Sequence, residues 1–401
     1  MSPSSPESFA GQLTQATIAT RPFASENTTT STAFYYQLID EEINLTRIAN
    51  SSPSITLCND GSTFTENEYE VAIIMTVIIS LGILANVCNL AVFCHSCMRK
   101  SSVINWYLAC LSGSDLIALL CSMFNFPLPR IAETNRYLQL ATFATQAMYV
   151  TYPVCIMAQT SSVWLTVCVS WHRFVCVHFP FSAHRICNRR MVKTVISGVL
   201  AFSVLYNLPK CVELNIIFCY SSLYNGKLAS ASAGSIRTDL YVQLYLGWMY
   251  MLVMLLIPFI LLIIMNTLVI VSVHRTRMRK QEIALNACQE SRDEARKEFK
   301  TTLMLMGVVI VFLICNVLAL LASFLEIGFF SGENSAKLYS LIVDTSNTLV
   351  LINMSINIII YVAFSDKYRA LLLYYLRFLC DPNAAQIELM TKLDINLGYN
   401  V

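Results

Sequence analysis

The residue of this chain best placed to do chemistry is a lone carboxylate inside an apolar run. Asp115 stands in Leu111-Ser112-Gly113-Ser114-Asp115-Leu116-Ile117. In hydrocarbon a carboxylate costs about 3 kcal/mol or more unless it is paired, hydrated or protonated. Such a residue serves an ion path, an ion site or a polar network. Asn86, Ser162, Asn353 and Asn357 lie in other apolar runs and could supply oxygen ligands. Hard cations favour such carboxylate, hydroxyl and amide oxygens. With a single acid present, sodium at Asp115 is the metal and the only cofactor expected. The competing reading is a hydrogen-bonded network that packs helices.

Arg173 is the second candidate. It follows the apolar run Val163-Trp164-Leu165-Thr166-Val167-Cys168-Val169-Ser170-Trp171-His172. Its guanidinium can snorkel to a membrane interface as an ordinary anchor. It can instead pair with Glu298, forming a latch that could break, with Asp293 and Glu294 as weaker competitors. His172 has no evident chemical partner in the sequence. No enzyme motif emerges: there is no His-Glu-x-x-His metal motif, Gly-x-Ser-x-Gly elbow or Walker loop. Inverted repeats with broken helices and a polar pore stripe are missing too, which disfavours a transporter or channel.

The elements that position these residues are seven long apolar runs, beginning near Val71, Ile104, Phe143, Val192, Tyr241, Thr302 and Leu338. A helix of about 20 apolar residues crosses a bilayer. The runs are continuous, not alternating, so they read as helices and not as barrel strands. Of 401 residues, 56% are hydrophobic and 13% charged. That charge content is about half the usual value for a soluble domain. The fold class is therefore an all-α membrane protein, a seven-transmembrane helix bundle. Residues 1–69 form an extracellular tail and 70–363 the bundle. Residues 364–380 form a short amphipathic eighth helix at the inner interface. Residues 381–401 are a cytoplasmic tail.

Charge sets the orientation. Arg99 and Lys100 fall in the first turn. His184, Arg185, Arg189, Arg190 and Lys193 fall in the third, and Arg275 through Lys300 give the fifth its cluster. Positive loops stay inside, which places the N-terminus of this multi-pass chain outside; the plasma membrane is the expected location. The sequons at Asn27, Asn44 and Asn50 agree, predicting glycosylation. No cleaved leader is expected; the first helix acts as its own anchor. Cys380, directly after the amphipathic segment, is a lipidation candidate. Of fifteen cysteines, Cys58, Cys211 and Cys219 are the candidates for the outer side.

These positions, in this order, resemble the rhodopsin-like family of G protein-coupled receptors over about residues 70–380. Asn86 matches the first-helix asparagine, and Leu111 through Asp115 match the Leu-x-x-x-Asp signature. Arg173 matches the arginine of Asp/Glu-Arg-Tyr, and Pro258 the proline of the fifth helix. Phe312 and Cys315 match Phe-x-x-Cys, Asn357 and Tyr361 the ends of Asn-Pro-x-x-Tyr, and Tyr368 the eighth-helix aromatic. Within the family the chain is similar to invertebrate receptors of the FMRFamide group. That likeness rests on Ala158-Gln159-Thr160-Ser161-Ser162-Val163-Trp164-Leu165-Thr166-Val167, with Val177-His178-Phe179-Pro180, Tyr206-Asn207-Leu208-Pro209-Lys210 and Cys315-Asn316.

The resemblance implies a receptor for a short amidated neuropeptide that activates heterotrimeric G proteins, with arrestin and membrane lipids as further partners. No nucleic-acid partner is expected. Glu213, Asp239, Glu326 and Asp344 near the outer ends would read a peptide arginine. Tyr152, Gln159, Tyr245 and Trp248 would offer aromatic and polar surface. Arg173, Glu298, Phe312, Asn316 and Tyr361 would be the activation switches.

Departures from the pattern matter. His172 replaces the acid before Arg173, Phe174 the tyrosine after it, Asn316 the usual tryptophan, and Ile358 the proline before Tyr361. Loss of the local acid predicts raised basal activity. Met148 stands where the outer cysteine of the third helix is expected, leaving Cys219 free or paired with Cys58 or Cys155. The alternative function is a constitutively signalling or orphan seven-helix receptor or scaffold without a diffusible ligand.

Overall fold

The protein is described from a computed structural model covering residues 57–58, 66–179, 183, 187–283, 289–328 and 333–380. For 66–68, 276–283, 289–298, 323–328, 333–340 and 379–380 the description is of the backbone alone. The sequons at Asn27, Asn44 and Asn50 lie outside the described residues, as does the tail after Cys380.

Seven helices among the described residues are long and apolar enough to cross a membrane. We label them α1 (Glu66–Cys94), α2 (Ile104–Thr134), α3 (Leu138–His178), α4 (Arg189–Val212), α5 (Asp239–Arg275), α6 (Gln289–Gly328) and α7 (Glu333–Phe364). A further helix, α8 (Asp366–Cys380), follows after Ser365. Helix α3 is the central post, packing against α2, α4, α5 and α6.

The core is apolar, yet the burial pattern departs from that of a water-soluble bundle. Asn86, Asn89, Asp115, Ser162 and Asn357 are buried, whereas Leu81, Leu84, Ile263, Ile314 and Ile359 are exposed on the outside. Lipid tails accept such apolar side chains, and polar groups must face one another inside.

Proline punctuates the helices where its missing N–H does least harm. Helix α2 breaks at Phe126, and Pro127 opens a new helical segment running to Thr134. A first-turn proline loses no intrahelical bond. The N-terminal part of α5 is π-helical over Val242–Met249 and Met251–Leu256, and ordinary α-helix resumes at Ile257. Pro258 sits where the register changes. The sequence expectation of a plain helix containing Pro258 missed this wide turn; π segments occur frequently at functional sites.

The loop between α4 and α5 is not irregular. Strands β1 (Leu214–Ser221) and β2 (Gly226–Ala233) form an antiparallel hairpin, so the all-α expectation needs this addition. Asn225 takes a positive φ in the turn, a conformation asparagine tolerates. Cys58 forms a disulfide with Cys219 on β1, and its N–H donates to the Tyr220 carbonyl at 2.9 Å. Of the alternatives open for Cys219, the structure takes Cys58; Cys155 is a buried free thiol. Met148 does more than vacate a cysteine position. It packs with Tyr152 and Leu214, fixing the hairpin to α3 by apolar contact.

At the opposite end, Tyr368 anchors α8. Its hydroxyl donates to Asn89 Oδ1 at 2.5 Å, and its ring packs with Phe93 and Tyr361. Lys300 of α6 pairs with Asp366 at 2.8 Å. Leu373, Leu376 and Phe378 remain exposed along α8, the apolar face expected of an interfacial helix. Cys380 ends this helix; its side chain lies outside the described part.

Candidate functional site

Two adjoining cavities open between α2, α3, α5, α6 and α7. The smaller, about 40 Å³, is lined by residues that include Ser122, Asn125, Cys155 and Met354. The larger, about 70 Å³, reaches Lys210, Leu246, Tyr250, Asn316 and Ser346. Tyr152, Gln159 and Asn347 line both. The Asn347 amide nitrogen is buried with no hydrogen-bond partner among the described residues. A buried donor left unpaired costs about 1–3 kcal/mol, so a ligand or water acceptor there would be favoured.

Two of the four expected peptide-reading acids, Asp344 and Glu213, are already engaged. Asp344 of α7 accepts from Arg130 of α2 at 2.5 Å, with both side chains nearly buried. Glu213 is fully buried and 2.9 Å from Lys210 Nζ. Lys210 also donates to the Tyr152 hydroxyl at 3.0 Å and lies over the Tyr152 and Tyr245 rings. Tyr241 donates to Glu213 Oε2 at 3.3 Å, and Glu213 Oε1 has no hydrogen-bond partner among the described residues. The sequence reading named the acids and missed their cations. Arg130 follows Pro127 and Pro129, which read as a helix end, and Lys210 follows Pro209 in the same way.

The other candidates separate. Asp239 is exposed in the first turn of α5, where Thr238 caps the helix. A carboxylate there complements the helix dipole. Tyr245 lies outside both cavity linings, donates to the Tyr206 carbonyl at 2.6 Å and stacks on Tyr241. Trp248 stands apart from the cavities. It is 46% exposed on α5 and lines neither cavity. A wide amphipathic ring on a bundle exterior suits the membrane interface. The side chain of Glu326 lies outside the described part of α6.

Deeper in the bundle, Asp115 accepts from Ser162 Oγ at 2.5 Å and from Asn357 Nδ2 at 3.0 Å. This joins α2, α3 and α7. Asn86 donates to the Met354 carbonyl at 2.8 Å, bringing in α1. No hydrogen bond ties Asn353 to Asp115 among the described residues. Tyr361 is fully buried, and its hydroxyl has no hydrogen-bond partner among the described residues.

Asn316 lines the larger cavity and donates to the Phe312 carbonyl at 2.8 Å. Phe312 packs among Val163, Met254 and Leu255 below. The pair therefore connects cavity floor to core. Arg173 is half-buried near the C-terminal end of α3. Glu298 lies on α6, but its side chain is outside the described part, so the latch has no described geometry.

A polar network around Asp115 thus lies inside a seven-helix bundle that also holds the two cavities. The profile described as "7 transmembrane receptor (rhodopsin family)" matches residues 85–361, and the chain belongs to that family. It is 28% identical to the FMRFamide receptor of Drosophila melanogaster over 84% of this chain. It spans 58% of that relative's length. It is 30% identical to FMRFamide peptide receptor frpr-18 of Caenorhabditis elegans, covering 79% of this chain and 71% of the relative. Neuromedin-U receptor 2 of Rattus norvegicus is 28% identical over 75% and 73%. The chain is thus a multi-pass protein of the plasma membrane.

Proposed function

We propose that this chain is a G protein-coupled receptor for a short C-terminally amidated, FMRFamide-like peptide. The observation that carries this reading is the cleft floored by Asn316 and lined by Gln159 and Asn347. The nearby Arg130–Asp344 pair supplies an exchangeable carboxylate. An incoming peptide arginine can take over Asp344 only by displacing Arg130. The likeness to FMRFamide receptors supports the ligand class. It disfavours a ligand-free scaffold.

The N-terminus faces outward in this reading. The Cys58–Cys219 disulfide supports it, because such bonds persist in oxidising compartments. Arg173 and the inner ends of α5 and α6 then face the heterotrimeric G protein, with arrestin as a second partner. Anionic lipid would meet the basic loops. Agonist binding selects the state in which those ends part.

Sodium fits the donor set at Asp115. Asp115, Ser162 and Asn357 would hold it, with Asn357 turning its amide oxygen inward. Sodium there would favour the closed state and oppose agonist binding reciprocally.

The test is a two-by-two comparison of receptor and peptide. Wild type and Asp344→Asn are each challenged with an Arg-Phe-amide peptide and its citrulline analogue. We expect the arginine preference to shrink by about tenfold in the variant, the size of one charge-assisted contact. An unchanged preference rejects Asp344 as the reader.

A further inference from the structure

The inner end of α3 carries a second cluster with its own chemistry. His172 and Cys176 are four residues apart, hence on one face of the helix. Cys187 comes from the turn just before α4, whose first residue is Arg189 and whose cap is Asn188. One ligand atom from each of the three residues lies within 4.8 Å of the others. The Cys176 and Cys187 sulfurs are 3.6 Å apart.

That separation is informative. Two sulfurs on a tetrahedral zinc, with bonds of about 2.3 Å, stand roughly 3.8 Å apart. A disulfide needs about 2.05 Å. The pair therefore matches two corners of a metal tetrahedron, and His172 is placed for a third. An imidazole with two thiolates is a donor set that suits zinc. The His172 ring is steadied edge-on against Tyr107 at 5.8 Å. Tyr107 is buried in the core beside α3, so the ring has a rigid backing.

We propose that His172, Cys176 and Cys187 form a binding site for one zinc ion, with a water in the fourth position. Binding joins the Nδ1 or Nε2 lone pair and two sulfurs to the metal, and the two thiol protons leave to solvent. The ion clamps the start of α4 to α3 on both sides of Arg173. It gives His172, which stands where relatives of the rhodopsin type carry an acid, a role beyond filling space.

Purified, reduced, full-length receptor in lipid nanodiscs would be stripped with chelator and titrated with Co²⁺ as the spectroscopic probe. Zn²⁺ would then compete it out. We expect one equivalent of cobalt with thiolate-to-metal absorption, displaced by zinc. Cys176→Ser, Cys187→Ser and His172→Gln should each weaken zinc at least about tenfold, the loss typical of disturbing a metal site. Cys211→Ser, exposed near the other end of the bundle, should keep wild-type binding. Zinc should raise the melting temperature of wild type and not of the three variants. That comparison within each protein separates lost binding from poor folding. Wild type without a thiolate band overturns the site, as does full binding in the variants. Recovery of Cys176–Cys187 as a disulfide in receptor purified without reductant, with no metal bound once it is reduced, overturns it equally.

Discussion

Lys210 holds its ammonium 2.9 Å from the Glu213 carboxylate at a point where their side chains are 4% and 0% exposed. Each charge is tolerable there only because of the other. Breaking a buried pair from one side costs about 3–5 kcal/mol. Glu213→Gln should therefore lower thermal stability sharply. Adding Lys210→Met should recover much of the loss. Melting of the single and double variants in one detergent checks this; equal melting of Glu213→Gln and wild type would contradict it.

The Arg130–Asp344 pair makes a different prediction, about ligand competition. If Arg130 must yield to a peptide arginine, removing it lowers that barrier. Arg130→Gln should raise affinity for an Arg-Phe-amide peptide and leave affinity for its citrulline analogue unchanged. Radioligand competition on membranes reads both. Weaker binding of both peptides would show that Arg130 holds the site open instead of guarding it.

Met148 takes over part of the work of anchoring the hairpin. It packs with Tyr152 and Leu214, which links β1 to the same tyrosine that meets Lys210. Met148→Ala should cost about 2–5 kcal/mol, the usual range for a buried methionine. Cys58→Ser should cost a comparable amount by freeing a tail tethered across 161 residues. Hydrogen exchange over 214–233 should quicken in both variants; protection unchanged in Met148→Ala would refute the apolar anchor.

Asp115 links three helices through Ser162 and Asn357. Agonist binding to wild type should weaken as sodium replaces potassium at constant ionic strength. Asp115→Asn should abolish that dependence. Sodium sensitivity retained in the variant would remove Asp115 from the ion's coordination.

His172→Asp restores an acid beside Arg173 and should lower basal nucleotide exchange. Chelating zinc from wild type while measuring the same signal separates charge from metal. Unchanged basal output in His172→Asp would refute the idea that the missing acid leaves Arg173 less restrained.

The spans and the Asp115 network were legible because membranes enforce simple rules. Apolar length marks a crossing, and Asp115, Asn86 and Asn357 stand out against hydrocarbon. The partners of the outer acids were not legible. Arg130 and Lys210 sit beside prolines, where chain direction changes and sequence spacing no longer reports position. The hairpin strands carry few strong β-formers over Gly226–Ala233, so β2 read as a loop. His172 and Cys176 share a helix face that spacing does reveal. Cys187 reaches them only through a turn whose path sequence does not specify. The amphipathic Trp248 was ambiguous for the opposite reason: its type fits a binding cleft and a lipid interface equally well.

The most direct test of the central claim is nucleotide exchange on a purified heterotrimeric G protein. The receptor would be reconstituted in nanodiscs and given a panel of short amidated peptides. A saturable, concentration-dependent acceleration by Arg-Phe-amide peptides, absent for their free-acid counterparts, is the predicted result. Exchange that is fast without peptide and indifferent to every peptide would contradict a peptide receptor and leave a constitutive one.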